Sequence, residues 1–132
     1  MILNKVKYSN LKSKQKENYN YHKIASALAE YGFDCMRLNN DWQGADFIAV
    51  HNDGKTFLKV QQKGRFEIKK IYQNKDIYMA FIEDGVVRIY YHDKAVEIIP
   101  DNVRNSKSWQ KTGHYSWGKT PKIYNEIITN LT

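Results

Sequence analysis

Within residues 41–65 (DWQGADFIAVHNDGKTFLKVQQKGR) an acid, an amide and an amine fall on what the pattern predicts to be two adjacent strands. Asp46 heads the apolar run Phe47-Ile48-Ala49-Val50, and Asn52-Asp53-Gly54-Lys55 has the composition of a tight turn. From Phe57 to Arg65 the residues alternate: Leu58, Val60 and Gln62 take one face, and Lys59, Gln61, Lys63 and Arg65 the other. With Asp46 beside Gln61, two oxygens converge that suit a hard divalent cation, Mg²⁺ or in its place Mn²⁺. The main-chain carbonyl of Gln62 adds a further ligand. Lys63 lies two residues from Gln61 on the same face, where an ammonium can orient a water or stabilise charge on a phosphate. Together these groups predict phosphodiester chemistry, with the metal as Lewis acid and water as nucleophile. Glu17, from an earlier segment, offers a second carboxylate.

A second group of chemically suited residues lies in 101–119, a polar stretch without periodicity. Trp109, His114, Tyr115 and Trp117 are interleaved there with Lys107, Lys111 and Lys119, and aromatic and cationic side chains together suit phosphate contact and base stacking. Lys107, Trp109, Lys111, His114, Trp117 and Lys119, with Lys59 and Arg65, are therefore the expected nucleic-acid-binding residues. Packing accounts for at least one of the two tryptophans.

The elements that must position these residues follow from hydrophobic patterning. Residues 14–31 read as a helix, with Ser13 as its cap and Tyr21, Ile24, Leu28 and Tyr31 as its apolar stripe. One turn back along that stripe lands on Glu17. Residues 33–38 form a predicted strand, and Asn39-Asn40-Asp41 a polar loop. Residues 77–82 and 86–91 pair across a Glu83-Asp84-Gly85 turn. Residues 95–99 are a short edge strand or the start of a helix, ended by Pro100. Thr120 and Pro121 open a predicted closing helix whose apolar side is Ile123, Ile127 and Leu131. The order predicts an α/β (α+β) fold: one domain over residues 1–132, with a mixed sheet flanked by helices.

The totals narrow the function classes. A chain of 132 residues fits one modest core. Its net charge of +7, from 21 basic and 14 acidic residues, suits a polyanion and excludes a DNA mimic. No apolar run reaches the ~20 residues of a membrane span, and no leader-like segment opens the chain, so a cytoplasmic protein is expected. The single Cys35 makes no internal disulfide and is expected to be an inert thiol, and the four histidines share no metal-ligand spacing.

The segment from Glu17 to Arg65 resembles the core of the PD-(D/E)XK nuclease superfamily. In that family a helix often bearing a Glu precedes a meander of strands, an Asp begins the second strand, and an acid-x-Lys triplet lies on the third. Glu17, Asp46 and Gln61-Gln62-Lys63 occupy those places here. The resemblance implies a restriction-endonuclease-like fold and a Mg²⁺-dependent DNA endonuclease acting as a homodimer. Two positions depart from the pattern: Ala45 replaces the family's Pro, and Gln61 replaces an acid, which removes a charge from the metal site. Two other roles are weighed against the nuclease. One is a DNA-binding module on the same fold. The other is an accessory or inhibitor protein whose basic face grips an acidic protein partner.

Overall fold

The computed structural model describes all residues, 1–132. It is a mixed α+β fold with a six-stranded mixed sheet, a second two-stranded sheet and three helices. The first helix, α1 (Ser13–Ala29), begins one residue earlier than expected, so Lys12 takes the cap position. Its buried side is Tyr21, Ile24, Ala27 and Leu28. Tyr31, predicted to extend that stripe, lies beyond the end of the helix and is exposed.

Three strands follow as an antiparallel meander: β1 (Phe33–Trp42), β2 (Ala45–His51) and β3 (Phe57–Gln62). The β2–β3 turn is fixed by Asp53, whose carboxylate accepts from the Lys55 and Thr56 amides at 2.7 and 2.8 Å and from the Thr56 hydroxyl at 2.7 Å. β3 ends at Gln62, short of the alternation expected to run to Arg65. The Lys63 amide still donates to Ala80, while Gly64 and Arg65 bend away into solvent.

A crossover carrying β4 (Glu67–Lys69) and a 3-10 turn then returns the chain to β5 (Ile77–Glu83), which pairs parallel to β3. β6 (Val86–Tyr91) follows antiparallel after a turn in which Asp84 and Gly85 both have positive φ, 51° and 78°. Residues 92–97 form α2 (His92–Glu97), settling the alternative left open for this region as a helix, and α3 (Asp101–Arg104) follows Pro100. His92 is fully buried: its Nε2 accepts from the Lys69 amide at 3.0 Å, tying α2 to β4. The stretch expected to be irregular holds a π-helical turn (Ser108–Thr112) and β7 (His114–Ser116), which pairs with β4.

The expected closing helix does not form. A 3-10 turn at Lys122–Tyr124 leads into β8 (Ile128–Asn130), the edge strand beside β6. Two features favour this outcome over a helix. The β-branched run Ile127-Ile128-Thr129 fits a pleated edge. In addition, Arg88 on β6 donates to Asn130 and Asn125 at 2.8 and 2.9 Å and pairs with Glu83 at 2.8 Å, drawing the C-terminus onto the sheet.

One core lies on each side of the large sheet. α1 covers Phe47, Ala49, Val60, Ala80, Val87 and Ile89, joined by Leu131. On the other side the crossover, α2, α3 and the C-terminal turn enclose Ile77, Met79, Phe81, Phe66, Tyr90 and Tyr124. No helix is long and apolar enough to cross a membrane.

The β1–β2 hairpin turns through Gln43 and Gly44, with φ of 50° and 90°. A Cβ on Gly44 would stand 3.0 Å from the Tyr72 ring, so backbone conformation and packing both demand glycine there. Gly44→Ala is expected to lower unfolding free energy in urea by about 1–3 kcal/mol. Unchanged stability would show that the turn is not constrained.

Candidate active site

The β2–β3 register decides which residues meet. Phe47 faces Val60, so continuing the pairing one step brings Asp46 opposite Gln61. Phe47 and Val60 turn into the α1 core, and the period of two therefore sends Asp46 and Gln61 to the other face. The Asp46 carboxylate accepts from the Gln62 amide at 2.9 Å, which pins it at the end of β3. Asp46, Gln61, Gln62 and Lys63 line one cleft of about 740 Å³, together with Glu17, Asn20 and Tyr21 of α1 and Arg37, Leu38, Asn39 and Asp41 of β1. The acid, amide and amine predicted to converge do so.

Their environments differ. Gln61 is only 7% exposed, and its Oε1 is buried without a hydrogen-bond partner. Burial pushes the Asp46 carboxyl up to about 6 against the pull of the Gln62 amide; the neighbouring Asp41 carboxyl adds to the rise and Lys63 opposes it. Burial also works against the Lys63 ammonium, but the Tyr72 hydroxyl, Glu67 and Asp46 outweigh it and hold its pKa above the ordinary lysine value. Its Nζ sits 5.4 Å from the Tyr72 ring centroid. Lys63 is thus a fixed cation at neutral pH.

Asp41 is the participant that sequence patterning missed. Arg37 faces Phe47 and Trp42 faces Ala45, so residues 38–41 bulge out opposite the single residue Asp46. This bulge carries Asp41 to the Asp46 carboxyl. The polar run Asn39-Asn40-Asp41 was the available signal, but as a loop it predicted no partner.

Other expected residues are placed differently. Glu17 lines the cleft, but its side chain is 56% exposed and engaged by Lys14 at 3.2 Å and Arg37 at 3.9 Å. The Gln62 side chain is drawn away to α1, donating to the Glu17 carbonyl at 2.9 Å, so only its main-chain oxygen remains a candidate ligand. Lys59 lies outside the cleft lining, with its Nζ 5.7 Å from the Trp42 ring centroid, and Arg65 is exposed beyond the strand end.

The 101–119 residues do not reach the cleft. Trp109 is 6% exposed and packs in the core, with Lys70 over its ring. Trp117 packs against Phe66 and Tyr124, and His114 bonds to Glu67. Trp109 and Trp117 are thus engaged in packing and His114 in a polar contact, whereas Lys107, Lys111 and Lys119 are exposed. Cys35 is half-buried, its thiol pushed up to about 11 by burial and by Asp34, in keeping with an inert role.

Two carboxylates, an orphaned amide oxygen and a main-chain carbonyl are an all-oxygen donor set, the kind a hard divalent cation selects. No three histidine, cysteine or carboxylate side chains are grouped closely enough to hold a metal ion by themselves, so most of a cation's remaining coordination here would be water. Compared with protein-family models, with curated proteins and with solved structures, the chain matches none.

The raised pKa of Asp46 fixes the sign of a stability effect. The folded state holds this proton more tightly than the unfolded chain. Its contribution is therefore greatest below pH 4 and is lost as pH rises through about 6. Asp46→Asn keeps an acceptor for the Gln62 amide and adds a donor towards Asp41. In chelator-treated protein it is expected to raise unfolding free energy at pH 8 by on the order of 1–2 kcal/mol and to have little effect at pH 4. Equal effects at both pH values would rule out this ionisation as the cause.

Proposed function

We propose that this chain is a metal-dependent nuclease that hydrolyses DNA phosphodiester bonds in the cleft lined by residues of α1 and of the β1–β3 meander. The observation that carries the reading is the buried, unpartnered Oε1 of Gln61 on the same face as the Asp46–Asp41 carboxyl pair. A buried acceptor left unpaired costs about 1–3 kcal/mol, and two adjoining carboxylates repel; a cation relieves both penalties at once.

Asp46, Asp41, Gln61 Oε1 and the Gln62 carbonyl would hold Mg²⁺ or Mn²⁺. The ion, when bound, supplies Lewis acidity towards the phosphate and a more acidic water. The chain's own residues account for the rest. Asp46 and Asp41 bring the negative charge, and the Gln62 amide holds Asp46 in one orientation. Lys63, kept protonated beside Tyr72, meets the charge that builds on the phosphate oxygens. Lys14 and Arg37, at the cleft rim around Glu17, are suited to neighbouring phosphates. The PD-(D/E)XK resemblance of residues 17–65 agrees with this division of roles. One cleft per chain cuts one strand, so cleavage of a duplex calls for two copies.

A second reading, a DNA-binding module that does not cut, is favoured by the amide at position 61, which leaves the site one charge short of the superfamily pattern. The two are separated by incubating the protein with supercoiled plasmid and branched DNA. The nuclease nicks in Mg²⁺ or Mn²⁺ and stops on chelation. Asp46→Ala and Lys63→Ala are expected to lower the rate by about 10²–10³-fold while leaving the circular dichroism spectrum unchanged. Gln61→Glu is expected to lower the Mg²⁺ concentration needed. Tight, salt-sensitive binding by wild type without any nicking would decide for the binding module.

A further inference from the structure

We infer that the outer side of α1 is a track for single-stranded nucleic acid, built from Lys16, Tyr8, Tyr19 and Lys23 and continuous with the cleft through Asn20. The inference rests on the nuclease reading for what the strand approaches, but not for its own chemistry.

Lys16, Tyr19, Asn20 and Lys23 stand three, four and seven residues apart and so form one helical stripe beside the buried stripe. Tyr8, from the 3-10 turn that precedes the helix, is laid over this stripe. Its hydroxyl accepts from Asn20 Nδ2 at 2.9 Å, and its ring meets that of Tyr19 at 5.3 Å between centroids. Lys16 stands 5.5 Å from the Tyr8 ring centroid, and Lys23 is 5.5 Å from that of Tyr19. The result is a row ordered cation, ring, ring, cation.

Both tyrosines are 43% exposed, and neither belongs to a core cluster. Asn20, which fixes Tyr8, also lines the cleft, so the row begins where the cleft ends. The surrounding charge has one sign: residues 1–23 contain six lysines and a single acid, Glu17, already paired with Lys14. A polyanion is therefore the complementary partner.

Base stacking distinguishes which polyanion. Partly exposed aromatic rings flanked by cations take up unpaired bases and their phosphates, whereas a duplex keeps its base faces stacked internally. The row accordingly fits the single-stranded or frayed arm of a substrate whose scissile bond lies in the cleft, in DNA or RNA.

The test is fluorescence anisotropy in chelating buffer, using labelled single strands of about 15 nucleotides, DNA and RNA, and the matching duplex. Tyr19→Ala and Tyr8→Ala are each expected to weaken single-strand binding about tenfold while changing duplex binding less than about twofold. Tyr19→Phe, which keeps the ring, is expected to bind as wild type does. Removing the charges with Lys16→Gln and Lys23→Gln should flatten the salt dependence of single-strand binding by about 0.7 in log–log slope for each lysine. Thermal melts establish that each variant is folded, and the Tyr19→Ala and Tyr19→Phe pair decides the matter if Tyr8→Ala is not. Single-strand affinity unaltered by Tyr19→Ala, or equal losses for duplex and single strand, would overturn the track.

Because no divalent ion is present, this assay is independent of cleavage. Ring-dependent binding by a protein that never nicks DNA would leave the track standing without the nuclease. Normal nicking with ring-independent binding would do the reverse.

Discussion

Everything proposed for the cleft depends on the antiparallel register between β2 and β3. Side chains on a strand alternate, so a slip of one residue would send Asp46 or Gln61 into the α1 core and expose Phe47 or Val60 in its place. Two forces prevent the slip. Asp53 locks the connecting turn through three hydrogen bonds, and the burial of Phe47, Ala49 and Val60 under α1 rewards only one alignment. The hydrogen bond from the Gln62 amide to Asp46 then reads out that alignment at the far end of the hairpin. The polar groups are held where they are because their apolar neighbours have no alternative.

The two sides of the sheet divide the labour. The α1 side is mainly structural near its middle, but both ends of the helix's amino-terminal half carry polar work: Glu17 and Asn20 face the cleft, and the Glu17 carbonyl takes the Gln62 side chain. The opposite side supplies Tyr72, which touches the lysine of the site and packs on Gly44 of the β1–β2 turn. The crossover between β3 and β5 therefore does more than return the chain. It delivers the aromatic ring that fixes both the hairpin and the cation.

Elements with strong local patterning were legible in the sequence: α1, the β2–β3 hairpin with its Asn-Asp-Gly turn, and the β5–β6 hairpin. The convergence of Asp46, Gln61 and Lys63 was legible as well, since alternation along paired strands fixes faces without further information. Long-range effects were not. The Ile123, Ile127 and Leu131 spacing suggested a helix, but the open edge of β6 and the Arg88 contacts take that segment as a strand. Trp109 and Trp117 had the composition of a binding surface, yet the small two-stranded sheet and Phe66 need them as packing. Asp41 escaped because a bulge is a matter of register, invisible until two strands are seen side by side. The Tyr8–Tyr19 row escaped because it joins a turn to a helix face.

The bulge at residues 38–41 has a bearing on how the protein behaves in solution. β1 is an outermost strand, and an uninterrupted ten-residue border of free amides and carbonyls would recruit strands from other molecules. By breaking the ladder midway and placing Arg37 and Asp41 there, the chain leaves only a short regular border, Phe33–Arg37, for a stray strand to join. The kink that shapes a polar hollow on one side thus also discourages self-assembly into open-ended sheets.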